Sequence, residues 1–378
     1  MKFTTACLIA LLFAFIIQPS QAATFEKVVW VDDDGVQAAS LKVSSYKTIN
    51  EAIAKVAVNG VVNVLPGTYG PAYINKSLKL LAKNAKGNDV NPSNNPMSTE
   101  WPVIIQNAKN DGILSGEAVS NVSIRGFYIR DVAANGIHVM GDIMGTSNIV
   151  PLPIKSLCEN MRIYLNKIEN TGMDGIKAHQ CNNVRIAGNH ITNTSYKKIK
   201  LGKGDLEQAI DFVAVGNSII SNNYIGQSGT GMTAKAGSVN ITVENNNFAG
   251  PFLWTAIAGE PSIDRYYFWS GVNSVYPYQL KNFLVKNNQF GPKGKYSDVS
   301  IRGCQNCSFI DNKMNNSFNV AFDSHEISRN ICITNKHQTS FAIKSNAKEP
   351  LQFTGCKSSF KSAIKRQTIS GWDIVSAN

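Results

Sequence analysis

Seven ionisable residues come into register when the chain is aligned on a recurring small–apolar pair: His138, Lys177, His179, Asp211, Lys235, Glu260 and Arg302. The pairs are Gly136-Ile137, Gly175-Ile176, Ala209-Ile210, Gly231-Met232, Ala256-Ile257, Asp298-Val299, Ala321-Phe322 and Ala342-Ile343. Along a β-strand, successive side chains point to opposite faces. With the apolar member turned inward, the next residue and the one two further on turn outward. One outward column is then His138, Lys177, Asp211, Thr233, Ala258, Ser300, Asp323 and Lys344. The second is Met140, His179, Val213, Lys235, Glu260, Arg302, His325 and Asn346. Neighbouring strands lie close enough that six of them span about 25 Å. Acids and bases at that density shift one another's proton affinities, which is what acid–base catalysis requires. Salt bridges laddering from strand to strand would give the same pattern without chemistry.

Such columns need a repeating scaffold. From Asn160 to Asn247 the chain reads NMRIYLNKIENTGMDGIKAH, NNVRIAGNHITN, NSIISNNYIGQSGTGMTAKA and NITVENNNF. Self-similarity at a period of roughly 20 to 30 residues is the mark of a solenoid. Each coil opens on an asparagine: Asn121, Asn160, Asn183, Asn217, Asn240, Asn282, Asn306 and Asn330. Asparagine tolerates the left-handed backbone of a tight turn, and stacked amides bond to one another. Asn189, Asn222, Asn245, Asn287 and Asn312 are therefore read as architecture.

At the N-terminus, Lys2, the apolar run ACLIALLFAFII and Ser20-Gln21-Ala22 have the layout of a secretory signal peptide over 1–22. The run is too short to span a bilayer, and no other stretch reads as a membrane span. The expected location is outside the cytoplasm, in the periplasm or beyond the cell. One β-helix domain is expected over 23–378, with a cap over about 23–80, coils over about 100–350 and a tail over about 350–378. The cap contains Thr48-x-x-Glu51, a helix-capping box ahead of Ile49, Ala52, Ile53 and Val56. The helix is expected to end near Asn59-Gly60.

Six cysteines remain after cleavage: Cys158, Cys181, Cys304, Cys307, Cys332 and Cys356. Cys158 stands two residues before Asn160, and Cys181 two before Asn183. Stacked coils bring such positions within disulfide reach, so this pair is expected to be bridged. Cys304-x-x-Cys307 is a lone CxxC without the partners of a zinc site.

The net charge is +11, from 37 Lys+Arg against 26 Asp+Glu. A basic solenoid suits an acidic partner such as a polyanionic glycan. No nucleic-acid-binding motif accompanies the charge. Three insertions interrupt the coils: a neutral one over 142–157, a basic one over 195–205 that contains Lys197 and Lys198, and one over 251–280. The last carries Phe252, Trp254, Tyr266, Tyr267, Phe268, Trp269, Tyr276 and Tyr278. Insertions in repeat folds gather on one face, often the binding face. His138, Lys197, Lys198, Trp254, Tyr266, Tyr267 and Trp269 are thus candidate substrate contacts.

The start YKTINEAIAKV…VVNVLPGTY and the NVxIxxNxI coils resemble the secreted parallel β-helix superfamily of pectate lyases, chondroitinase-B-like and alginate lyases, and related epimerases. The resemblance implies an all-β fold, a right-handed single-stranded parallel β-helix with a short N-terminal capping helix. It also implies a monomer acting on an acidic, uronate-containing polysaccharide, most often by β-elimination. In that chemistry a Lys or Arg removes the proton beside the uronate carboxylate. Calcium or a second basic group neutralises the carboxylate. Lys235 is the first candidate for the base and Lys177 the second, with neighbouring cations expected to lower the Lys235 pKa. Arg302 would polarise the carboxylate, and His179 would protonate the leaving oxygen. Asp211, Glu260, Glu207 and Asp174 are hard oxygen ligands suited to Ca²⁺. FDSHE (322–326) is similar to the DPHE motif of mannuronan C5-epimerases, with Ser324 in place of Pro. DFVAVG (211–216) resembles a strand of pectin methylesterases that carries their nucleophilic Asp. Epimerisation and non-catalytic glycan binding stand as alternatives to the lyase.

Overall fold

The computed structural model describes residues 25–92, 101–141, 156–195, 207–260, 280–291, 297–301, 304–313, 318–322, 332–334, 340–345, 365–369 and 372–376. Three parallel sheets wrap around one apolar core as a right-handed β-helix. A single coil shows the scheme. Arg162–Tyr164 lies in the first sheet, Lys167–Thr171 in the second and Ile176–His179 in the third. The chain then re-enters the first sheet at Cys181–Asn182 and Arg185–Ala187. The signal segment, Lys197, Lys198, Tyr266, Tyr267, Trp269, Arg302, Asp323 and His325 lie outside the described residues.

Apolar periodicity sets the register of the third sheet. Ile137, Ile176, Ile210, Met232, Ile257 and Val299 are paired in succession. All are fully buried in the core, as are Val139, Ala178, Phe212 and Ala234 two residues on. A one-residue slip would turn these side chains outward, so burial fixes the register. The next strand departs from the expected alignment. Val320, not Phe322, pairs with Val299, so Ala321 rather than Asp323 continues the column after Ser300. The pairing shifts the strand by two residues.

Asparagine builds two stacks. Along the bend in the first sheet, Asn160 donates its amide to Asn121, Asn183 to Asn160, Asn240 to Asn217, Asn282 to Asn240 and Asn306 to Asn282, at 2.7–2.9 Å. All of these asparagines have left-handed φ between 54° and 58° except Asn217, at 50°. Between the first and second sheets a buried ladder runs through Asn166, Asn189, Asn223, Asn246, Asn288 and Asn312. Asn222, Asn245 and Asn287, read from the sequence as architecture, are turn residues beside the ladder. They precede the rungs and hold the left-handed turn, with φ of 55°, 56° and 54°.

The capping box forms as expected: Thr48 Oγ1 accepts from the Glu51 N–H, and Glu51 Oε2 from the Thr48 N–H. The helix Ile49–Lys55 turns Ile49, Ala52 and Ile53 onto the end of the core. It stops earlier than expected, because Val56 is already extended and opens the strand Val56–Val64. A second short helix, Val36–Leu41, sits between left-handed Gly35 and Lys42. Cys158 and Cys181 are bridged across paired strands, their Cα atoms 4.5 Å apart. Cys304 and Cys307 pair across the left-handed Asn306. At the far end Lys365–Ile369 and Trp372–Ser376 form an antiparallel hairpin that pairs antiparallel with Ser340–Ser345.

Candidate acid–base cluster on the third sheet

The outer face of the third sheet is built from four consecutive strands. Ile137–Met140 carries His138, Ile176–His179 carries Lys177 and His179, Gln208–Val213 carries Asp211, and Thr230–Lys235 carries Thr233 and Lys235. His138, Lys177, Asp211 and Thr233 are cross-strand partners in one column; Met140, His179, Val213 and Lys235 form the next. Glu260 is paired with Lys235 in backbone register.

Three residues before Leu114, His138, Lys177 and Asp211, at or just before the strand starts, stand Asp111, Asn135, Asp174 and Gln208. These residues bond along the stack. Asn135 donates its N–H and amide to Asp111 Oδ1, Asp174 N–H donates to Asn135 Oδ1, and Gln208 N–H donates to Asp174 Oδ1 at 2.9 Å. The free oxygen of each acid serves the column. Asp111 Oδ2 lies 3.2 Å from His138 Nδ1, and Asp174 Oδ2 lies 3.2 Å from Lys177 Nζ. Asp111 and Asn135 were not singled out from the sequence, although the constant three-residue offset was visible there.

Asp211 is the hub. Lys177 Nζ lies 3.2 Å from Oδ2 and Lys235 Nζ 3.1 Å from Oδ1. Neither oxygen accepts a well-directed hydrogen bond among the described residues, so the contacts are electrostatic. The Thr233 hydroxyl and His138 Nε2 are likewise buried without a hydrogen-bond partner. The columns face away from the core, yet they are not the open groove that their alternation suggested. Asp174, Asp211 and Thr233 are fully buried, and the Lys177 and Lys235 side chains keep only 21% and 20% exposure.

Burial and mutual charge set the protonation. Burial, then the charge of Asp211, pushes Asp174 up to about 7 against the pull of Lys177. Burial pulls the Lys177 and Lys235 ammoniums down, but the carboxylates of Asp211 and Asp174 outweigh it and raise both. The expectation that neighbouring cations lower Lys235 is therefore reversed. His179 is pushed down to about 4, first by burial and then by the positive fields of His138, Lys177 and Lys235. It is a neutral imidazole at pH 7.

Two of the four expected calcium ligands, Asp174 and Asp211, are engaged by lysines. Asp174 and Asp211 already face ammonium groups, so a divalent ion among them would meet two lysines. Glu207 is half-buried in the turn before Gln208, and its charge acts on Asp174 from there. Among the described residues, the carboxylates that do converge are Asp32, Asp33 and Asp34, at the N-terminal cap. Trp254 is half-buried in the turn before Thr255–Glu260, its N–H bonded to the Gly229 carbonyl. Phe252, expected on a binding loop, is instead a core residue packed edge-on against Phe248.

No known family profile matches the chain, and no curated protein matches it in sequence. Solved structures do. The mannuronan C-5 epimerase AlgE4 A-module of Azotobacter vinelandii aligns over 87% of this chain and 95% of its own, at 11% identity and a TM-score of 0.45. The polygalacturonase of Erwinia carotovora aligns over 88% and 94%, at 13% identity and a TM-score of 0.45. An alginate lyase from Paenibacillus aligns over 81% and 95%, at 10% identity and a TM-score of 0.39. At these identities the likeness is one of coil architecture.

Proposed function

We propose that the protein is a polysaccharide lyase that receives an acidic, uronate-containing chain on the outer face of the third sheet and cleaves it by β-elimination. The observation that carries this reading is the convergence of two lysine ammoniums on one fully buried carboxylate, Asp211. A salt-bridge ladder kept only for stability would balance its charges, and buried ion pairs are weak stabilisers at best. Here Asp174 is pushed up to about 7, so it offsets the two ammoniums less than an ordinary carboxylate would. Ammoniums so offset, beside unpartnered polar atoms, suit an incoming carboxylate.

Lys235, whose ion-pair partner among the described residues is Asp211, takes the uronate carboxylate. The raised pKa of Lys235 makes it a charge-neutralising group, and the role of base passes to the neutral His179. A bound carboxylate offsets the field of Lys177 and Lys235, so His179 gains basicity only when substrate is in place. The C5–H proton moves to the imidazole, its electron pair forms the C4–C5 double bond, and the C4–O bond breaks. The imidazolium then protonates the leaving oxygen.

A second reading, hydrolysis, is favoured by one observation. Asp174, held protonated to about pH 7 beside Asp211, resembles the split carboxylate pair of glycosidases. One assay separates the readings. Pectate, alginate and glycosaminoglycans are incubated with the chain, with and without a chelator. The lyase yields ultraviolet-absorbing unsaturated ends together with new reducing ends; a hydrolase yields reducing ends alone. Neither signal leaves epimerisation or simple binding. Lys235→Ala is expected to abolish turnover and keep the fold; undiminished turnover would remove Lys235 from the site.

A further inference from the structure

A recess of about 750 Å³ opens on the corner between the first and second sheets, a part of the solenoid that the acid–base cluster does not use. Its size is within the range of about 300–1,000 Å³ common to ligand sites. The recess exists because one coil is pared down there. Ala187 and Gly188 lie between Tyr164-Leu165 on one side and Asn222 and Tyr224 on the other. Gly188 has φ +65°, and a Cβ there would come within 2.8 Å of Leu165 Cδ2. The notch is thus kept by a backbone position that glycine favours. Trp101 walls one end, its indole N–H donating to the Leu165 carbonyl at 3.0 Å.

The lining has the chemistry of sugar recognition. Tyr164 and Tyr224 offer ring faces, and Tyr224 is braced by parallel stacking on His190, with centroids 4.5 Å apart and planes 8° apart. Asn222 supplies an amide that differs from those of the first-sheet stack. Asn160, Asn183 and Asn240 donate their amides to Asn121, Asn160 and Asn217, whereas the Asn222 side chain makes no hydrogen bond among the described residues. Arg125 is the one charged residue of the lining, and its Nε has no partner although another guanidinium nitrogen pairs with Asp89 at 3.2 Å. Aromatic faces, free amides and a half-committed guanidinium together fit a pyranose chain that carries carboxylates.

We infer that this notch is a second glycan-binding site, which anchors a remote stretch of the same acidic polysaccharide. The inference rests on the proposed substrate class but not on the proposed reaction. A chain held at two places gains avidity that a short oligosaccharide, reaching one site only, does not.

The test uses the full chain, alginate and pectate, and short oligosaccharides of each. Ala187→Trp fills the notch from its floor, and Tyr224→Ala removes a platform. Each is expected to weaken binding of the long polymer about tenfold, the effect of losing one good contact, and to leave turnover of the short oligosaccharides unchanged. Both variants are repeated in a Lys235→Ala background, where binding is read without cleavage. A polymer affinity that the notch variants lower in that background supports the site even if no form of the protein is a lyase. Unchanged polymer binding in both variants, or no binding of either polymer by the parent chain, overturns it. Retained thermal stability of Tyr224→Ala rules out loss of fold as the cause of weakened binding; if it unfolds, Ala187→Trp decides alone.

Discussion

Two buried polar columns run along this solenoid. The amide column at the corner of the first and second sheets repeats one residue. Asn223 shows its economy: the side-chain oxygen accepts from the Asn189 N–H and amide, and its own amide donates to Asn246 and to the carbonyls of Ile186 and Ser221. Each rung satisfies the next. The column on the third sheet repeats nothing. Histidine, lysine, aspartate and threonine succeed one another, and the polar valence does not close: Asp211, Thr233 and His138 all retain buried atoms without hydrogen bonds. A repeat stabilises by self-pairing, so residues that break the repeat inside a buried column are where a solenoid holds interactions in reserve.

The sharpest way to break the comparison is at the amide column. Asn223→Ala strands the donors of Asn189 and the carbonyls that Asn223 served. At about 1–3 kcal/mol per orphaned group, the loss is expected to reach several kcal/mol. Denaturant titration measures it; a loss under about 1 kcal/mol would mean that the coil re-closes around the gap.

The charged column is expected to respond differently. Asp211→Ala leaves the Lys235 ammonium without the carboxylate it faces and Lys177 with Asp174 alone, at a cost of roughly 3–5 kcal/mol. Replacing the set together, with Asp211→Leu, Lys177→Met and Lys235→Met, is expected to recover that stability while turnover stays absent. Such recovery has no counterpart among the asparagines. A triple variant as unstable as the single one would make the cluster structural after all.

The smallest effect is a pH slope. His179 and His190 sit at about 4 against an ordinary 6.5, so between those values the unfolded chain binds more protons on both. Asp174, at about 7 against 3.8, binds its proton in the folded chain over the same window. Two histidines against one aspartate leave the unfolded state ahead, so stability is lost as pH falls from 6.5 to 4. Asp174→Asn is expected to steepen that loss and His179→Gln to flatten it. Melting curves across the window check both signs, and slopes identical in all three proteins would contradict them.

Much of this was legible in the sequence. Apolar pairs and turn asparagines specified the coils, because in–out alternation and left-handed turns are local properties. The Cys158–Cys181 bridge followed from equal offsets before Asn160 and Asn183. The His138, Lys177, Asp211, Thr233 column was read correctly, since burial of Ile137, Ile176, Ile210 and Met232 leaves one register. What the residues did not declare was environment. Outward-facing Asp211 is fully buried, and burial and pairing decide that Lys235 holds its proton and His179 does not. Asn222, Asn245 and Asn287 are architecture as read, holding left-handed turns, but the neighbouring rungs Asn223, Asn246 and Asn288 were not singled out, because runs of consecutive asparagines offer two adjacent choices. The alignment also failed at Phe318–Phe322, where Val320 and Phe322 are both plausible inward residues.

The C-terminal hairpin completes the third sheet, with Trp372–Ser376 running opposite to the coil strand Ser340–Ser345 and Lys365–Ile369 outside it. A parallel stack carries no internal instruction to stop: its last coil is a template on which another coil, from this chain or a neighbour, would fit. Trp372–Ser376 takes that place with reversed polarity, and Lys365–Ile369 pairs with it in turn. The edge that the last coil leaves on this sheet is thus filled by the chain's own hairpin rather than left open as a template.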